Sequence, residues 1–188
     1  MALKLHVIIA STRPGRIGPA VARWFHDYAR AHGEFDVELI DLADFDLPVY
    51  DEPKHPRLQQ YEHEHTRRWS ESVAAADAYA FVTPEYNYSP TPALVNALDY
   101  VYWEWSYKPC AFVSYGGVSG GLRAAQAVKM QATTLKMMPI PEGVTVPAVA
   151  RQIGDDGEFS SNELIDDSAS TVLGELLRWA EALQPLHA

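Results

Sequence analysis

The sequence predicts a three-layer α/β protein built on a five-stranded parallel sheet. Three observations lead there. Short runs rich in branched apolar residues alternate with longer segments of helical periodicity along the whole chain. Repeated strand–helix units in one chain imply a parallel sheet covered by helices on both faces. The loops that follow the first, third and fourth strands are rich in Gly, Pro, Ser and Arg, whereas the turns at the other end of the sheet, such as "AHGE" and "WSYKP", are plain.

The elements follow in order. Leu3–Ile9, "LKLHVII", is a branched, apolar first strand. Residues 17–31 read as a helix with Pro19 in its first turn, where a missing N–H costs nothing. Phe35–Asp41, "FDVELID", alternates apolar and acidic residues, the pattern of a strand near a sheet edge. A Pro- and charge-rich loop over 44–56 precedes a helix predicted over 58–76. A short buried strand over 78–82 ends at "TPEYNYSPTP". A third helix is predicted over 93–103, a fourth strand over 110–114, a helix over 120–137, a fifth strand over 144–146 and a closing helix over 162–183, capped by Ser161 or Asn162.

Right-handed crossovers leave two common strand orders for such a chain, the dinucleotide-binding order and the flavodoxin-like 2-1-3-4-5. In the second, the loops after strands one, three and four meet at the topological switch point, where ligands of open α/β sheets bind. Those are the three unusual loops, so the flavodoxin-like order is the prediction.

With 188 residues, 47% of them apolar, the chain is long enough for one well-buried core and is read as a single domain over 1–188. A net charge of -10 argues against a nucleic-acid binder, which needs a basic face. The single cysteine, Cys110, excludes an intramolecular disulfide and a multi-cysteine metal site, and suits a reducing compartment. No stretch approaches the roughly 20 apolar residues of a membrane span, and the expected location is cytoplasmic.

The first loop, "STRPGRIGP", joins a buried strand to a helix start. Unpaired N–H groups and the positive end of the helix dipole suit a phosphate there. Ser11 and Thr12 add hydroxyls, Arg13 and Arg16 add charged fork-shaped donors, and Gly15 and Gly18 let the backbone approach closely. Neither G-x-G-x-x-G nor G-x-x-x-x-G-K-[ST] is present, which argues against a dinucleotide fingerprint and a triphosphate loop. Asp41, at the end of the second strand, is a weak ribose ligand and reads better as a solvated loop residue.

The second loop packs three prolines, two tyrosines and an asparagine into 83–92, a rigid frame with aromatic faces. The third, "SYGGVSGG", carries four glycines that let backbone donors reach a ligand edge. Phosphate at one end and a flat, hydrogen-bonding ring at the other describe a mononucleotide such as FMN.

Three segments, "STRPGR", "TPEYNYSPTPALVNALDYV" and "SYGGVSGGLRAAQAV", resemble the NADPH-dependent FMN reductase family, which includes quinone, azo-dye and chromate reductases. The likeness runs from Leu3 to about Pro147. It implies an FMN-dependent oxidoreductase taking a hydride from NADPH or NADH and passing electrons, in a ping-pong cycle, to quinones, azo compounds, flavins or metal oxyanions. By that resemblance, Ser11, Arg13, Arg16, Ile17 and Gly18 hold the FMN phosphate. Many relatives carry Ser or Asn near the start of that helix, where this chain has Ile17-Gly18, so a backbone bond replaces a side-chain one. Pro84, Glu85, Tyr86 and Asn87 line the ring, with backbone groups of Glu85 to Asn87 on its polar edge. Ser114, Tyr115, Gly116 and Gly117 meet its pyrimidine end, and the N–H groups of Gly116 and Gly117 stabilise the negative charge that develops there. The flavin carries the chemistry, so no catalytic acid or base and no metal are expected. Relatives form homodimers or homotetramers with the flavin near the interface. A flavodoxin-like electron carrier and a flavin-binding regulator are the competing classes.

Three further features are weighed against this reading. His63 and His65, two apart in a predicted helix, point to different faces and make a poor chelate. Cys110 opens a buried strand and reads as core. The stretch "YVYWEWSY" over 100–107 is denser in aromatics than one helix face needs, and reads as a subunit interface in preference to core.

Overall fold

The computed structural model describes residues 2–187. One parallel sheet holds β1 (Leu3–Ile9), β2 (Phe35–Asp41), β3 (Ala78–Pro84), β4 (Pro109–Tyr115) and β5 (Met138–Val146), in the order β2-β1-β3-β4-β5. This is the flavodoxin-like order predicted from the loops. The helices are α1 (Gly18–His32), α2 (Glu64–Ala74), α3 (Pro92–Tyr100), α4 (Leu122–Thr134) and α5 (Glu163–Leu183).

Strand alternation builds two cores. Leu5, Val7, Ala80, Val82, Ala111 and Val113 face α1 and α5, against Phe25, Val172, Leu173 and Leu176. Ile8, Tyr79, Phe81, Cys110 and Phe112 face α2, α3 and α4, against Trp69, Leu94, Leu98 and Val128. Strands β3 and β4 are buried at every position, because helices cover both faces of the central sheet. Asn162 caps α5 by accepting from the Ile165 N–H at 3.1 Å. Among the described residues no helix is long and apolar enough to cross a membrane.

Element boundaries depart from the sequence reading where buried carboxylates or edge position intervene. The helix predicted over 58–76 starts only at Glu64. Glu52, 7% exposed, accepts from the Glu62 N–H at 2.9 Å and the His63 N–H at 3.0 Å and so pins the preceding loop. His63 is therefore an extended N-cap, not a helical residue. Its ring stacks on His65 at 5.1 Å and both approach Asp51, at 3.9 and 3.1 Å. The two rings do not diverge as the helical spacing predicts.

The β5 strand runs over nine residues instead of 144–146. It accommodates Pro139 and Pro141 because β5 is an edge strand that pairs only with β4, where a missing N–H breaks no second ladder. The α4 helix starts at Leu122 because its N-cap, Gly121, has φ +81° and lies against the end of β4; a Cβ there would sit 2.7 Å from the Tyr115 carbonyl oxygen.

The aromatic stretch is the main correction. Helix α3 ends at Tyr100, because Val101 turns extended. The buried Glu104 carboxylate then gathers the Tyr61 hydroxyl at 2.8 Å, the Ser70 hydroxyl at 2.7 Å and the Tyr102 N–H at 3.1 Å. Released from one helical stripe, Tyr100 and Trp105 enter the core of the same chain, Trp105 meeting Tyr79 at 4.9 Å and Trp69 at 5.7 Å. Trp103 keeps 39% exposure.

Candidate active site

The carboxyl ends of β1, β3 and β4 open into a common crevice of about 180 Å³. Arg13, Arg16 and Ile17 line it from the first loop, Pro84, Glu85 and Tyr86 from the second, and Tyr115 and Gly116 from the third, with Val149 closing one side. A larger cavity of about 460 Å³ lies at the opposite pole.

The first loop is built to leave donors free. Ile17 is the N-cap of α1 and makes no side-chain cap bond, Pro19 sits in the first turn, and no acidic residue lies there. The N–H groups of Thr12, Arg13, Gly15, Ile17 and Gly18 enter no backbone hydrogen bond among the described residues. With the helix dipole behind them, they form an anion-binding cradle. The exposed Arg13 donates only to the neighbouring Pro14 carbonyl, at 3.1 Å, and pairs with no carboxylate among the described residues.

Arg16 is engaged differently from Arg13. Its guanidinium grips Asp41 through Nη1–Oδ1 at 2.7 Å and Nη2–Oδ2 at 2.5 Å, and Nη1 also donates to the Ser11 carbonyl. Asp41 is thus a half-buried partner of the loop and not the solvated residue the sequence suggested. The Asp41 hydrogen bonds raise the Arg16 pKa further. The pair curls the loop and offsets part of its charge.

Ser11 is 1% exposed, and its Oγ accepts from the Tyr115 hydroxyl at 3.2 Å, so its own proton remains free to donate. Burial pushes the Tyr115 phenol up to about 12, which keeps it the donor. Gly18 packs under this contact. A Cβ at that position would overlap the Ser11 Oγ and lie 2.6 Å from the Tyr115 hydroxyl.

In the second loop, Asn87 (φ +52°) and Tyr88 (φ +69°) form a tight turn closed by Tyr86 N–H to Ser89 O and Ser89 N–H to Tyr86 O, both 2.9 Å. The Tyr86 N–H is therefore spent, leaving those of Glu85 and Asn87 outside backbone hydrogen bonds among the described residues. The Glu85 carboxylate belongs to the start of α4. It accepts from Arg123 Nε at 2.7 Å, the Arg123 N–H at 3.2 Å and the Ser119 hydroxyl at 3.1 Å. These bonds, Arg123 first, hold its pKa below the usual carboxylate value. Arg123 also caps the Tyr88 ring at 3.6 Å. Thr91 caps α3 and donates to the Ala10 carbonyl at 2.6 Å, tying this loop to the end of β1.

The third loop places only part of its predicted set at the crevice. Ser114 is buried on the α4 side of the sheet, near Val144 O at 3.5 Å, because alternation sends it opposite to Tyr115. The Gly116 N–H donates to Val146 O at 3.2 Å and is not free for a ligand. The Gly117 N–H has no backbone partner among the described residues, while the Gly117 carbonyl is held by Ala148 N–H at 2.8 Å. Thr91, Ser119, Arg123 and Val149 were missed as site-building residues, and Asp41 was set aside as solvated. Only for Arg123 was there a sequence signal, a cation in the first turn of a helix that follows a glycine loop.

The chain matches the family described as NADPH-dependent FMN reductase over residues 3–150. It is 39% identical over 177 residues to an NAD(P)H-dependent FMN reductase of Schizosaccharomyces pombe, covering 84% of this chain and 88% of that protein. It is 31% identical over 162 residues to a quinone reductase of Pseudomonas putida, covering 82% and 83%. Among solved structures, FerB, a flavoenzyme NAD(P)H:(acceptor) oxidoreductase of Paracoccus denitrificans, shares the fold with a TM-score of 0.76 at 22% identity, over 97% of this chain and 99% of that one. With its three strand-end loops meeting in one crevice and this match across most of its length, the chain belongs to the NADPH-dependent FMN reductase family.

Proposed function

We propose that this single-domain chain, residues 1–188, is an FMN-dependent NAD(P)H oxidoreductase and that the crevice between its three loops holds the cofactor. The convergence of a donor-rich helix start, a rigid aromatic turn and a glycine loop on one opening carries this reading.

The residues present fit FMN. The phosphate belongs on the free N–H groups of Thr12, Arg13, Gly15, Ile17 and Gly18, with the Ser11 hydroxyl and the Arg13 guanidinium as side-chain donors. Arg16 acts there mainly by shaping the loop, since Asp41 holds its fork. Pro84, Glu85, Tyr86 and Asn87 frame the ring, with the Glu85 and Asn87 N–H groups toward its polar edge. Tyr115 and Gly116 wall the other side, and the Gly117 N–H is the donor for negative charge at the pyrimidine end. Bound FMN supplies the redox chemistry, accepting a hydride from NADPH or NADH and delivering electrons in a ping-pong second half to a small acceptor such as a quinone, azo compound, flavin or metal oxyanion. The protein's part is to bind, orient and stabilise charge, with no acid or base of its own. Tyr88, Val118 and Leu122 stand 69%, 99% and 48% exposed, which supports a homodimer or homotetramer that covers them. A lone buried thiol is in keeping with the cytoplasm.

The test is the purified protein loaded with FMN. Flavin absorption bands, NADPH or NADH oxidation with a quinone, and parallel double-reciprocal lines are the expected results. Bound flavin without turnover by either nicotinamide across quinones, azo compounds and flavins would leave an electron carrier or a regulator instead.

A further inference from the structure

The 460 Å³ cavity lies at the amino ends of β3 and β4, where Asp77, Trp103, Ser106, Lys108 and His187 line it. Lys108 directly precedes β4 and Gly116 directly follows it, so the strand separates this cavity from the crevice by roughly 25 Å.

Lys108 is 7% exposed. Its Nζ donates to the Val73 and Ala74 carbonyls at 3.2 and 3.1 Å, the last of α2, and lies 5.7 Å from the Tyr79 ring centroid. It forms no ion pair with a carboxylate among the described residues. Burial lowers its pKa to about 8, and the charges of Asp77 and Glu104 offset that only in part. A buried amine hydrogen-bonded to carbonyls and lacking a close ion pair has an enlarged neutral, nucleophilic fraction near neutral pH. Beside it in the same cavity, His187 Nδ1 and Asp77 Oδ1 are 3.9 Å apart.

The other lysines are placed differently. Lys4 and Lys54 pair with Glu38 and Glu62 at 3.4 Å each. Lys136 lies over the Trp103 ring at 4.7 Å. Lys129 also donates to two carbonyls, but the cleft it lines is only about 140 Å³.

We propose that this cavity is a covalent carbonyl site, in which Lys108 Nζ condenses reversibly with a small aldehyde whose apolar tail lies against Trp103. The neutral amine attacks the carbonyl carbon, and the C–N bond forms as the C=O π pair moves to oxygen. That oxygen takes one proton from nitrogen, giving a carbinolamine. The C–O bond then breaks, and oxygen leaves as water with the second amine proton while the C=N bond forms. Amine plus aldehyde gives imine plus water, with no electrons exchanged.

The test treats the purified full-length protein with limiting butanal and cyanoborohydride at pH 7.5 and maps reductively alkylated lysines by peptide mass. Expected is labelling of Lys108 at least about tenfold faster than Lys4, Lys54, Lys129 or Lys136, with a pH midpoint near 8 against the ordinary lysine value of about 10.4. In urea all five lysines should react alike. Labelling of Lys108 in the folded protein no faster than of the other four, or without that lower midpoint, overturns the proposal.

Discussion

Arg16 and Asp41 meet through two hydrogen bonds, 2.7 and 2.5 Å long, that join the loop after β1 to the end of β2. Their side chains are 18% and 19% exposed. The guanidinium nearest the helix start is thereby committed to the protein, and Arg13 is left as the loop's unpaired cation.

A difference between the two arginines follows. Arg13→Ala should weaken FMN about tenfold or more, the effect of one lost charge-assisted bond of about 1.5–3 kcal/mol. It should leave riboflavin, which lacks the phosphate, unaffected. Arg16→Ala should weaken both ligands, because the loop loses its shape, and should lower stability by leaving Asp41 half-buried and alone. Flavin fluorescence titrations with both ligands and urea melts separate these outcomes. Equal loss of riboflavin affinity in Arg13→Ala would refute the assignment.

Gly18 supports the contact between Ser11 and Tyr115. Gly18→Ala forces a methyl into the Ser11 Oγ and the Tyr115 hydroxyl. Overpacking of this kind costs about 1–3 kcal/mol, seen as a lower Tm by roughly 2–4 °C per kcal/mol for a chain of this size. FMN affinity should fall in parallel, since the first and third loops separate. An unchanged Tm with unchanged flavin affinity would remove Gly18 from the site's construction.

Glu85 makes one link acid-labile. Arg123 and Ser119 hold its carboxylate below the ordinary value of about 4.3, so the unfolded chain takes up this proton more readily than the folded one. The stability it contributes is complete above that value and is lost as pH falls through the lower folded one. Glu85→Gln should lower stability at pH 7 and flatten the decline below pH 5 in denaturant melts. A decline as steep as that of the unmodified protein would place the acid sensitivity elsewhere.

Cys110 is fully buried, and burial pushes its thiol well above the ordinary range. The folded protein should not react with a disulfide reagent over hours, while urea should release one reactive thiol per chain. Turnover of the FMN-loaded enzyme should survive the same treatment. Rapid labelling without unfolding would contradict the core placement.

Much of the site was legible because it follows from local chemistry. A helix start with no cap and no acid, a Pro-framed turn and a glycine loop announce themselves in composition. The separate roles of Arg13 and Arg16 were not legible, since the partner of Arg16 lies 25 residues away in sequence. The Gly116 N–H was misplaced for the same reason, since β5, paired beside β4, consumes that donor, whereas Ser114 was misplaced because strand alternation turns it to the face opposite Tyr115. His63 and His65 came together because Glu52 holds His63 extended, so that α2 begins only at Glu64.

The sequence by itself determined the strand order and the three loops that matter, because periodicity and turn chemistry act over a few residues and crossover handedness leaves few ways to join them. Only the tertiary structure decided which donors in those loops stay free, which aromatic residues fill the core and where buried carboxylates end helices. Each of those outcomes depends on a partner brought close by the sheet, and distance along the chain carries no trace of it.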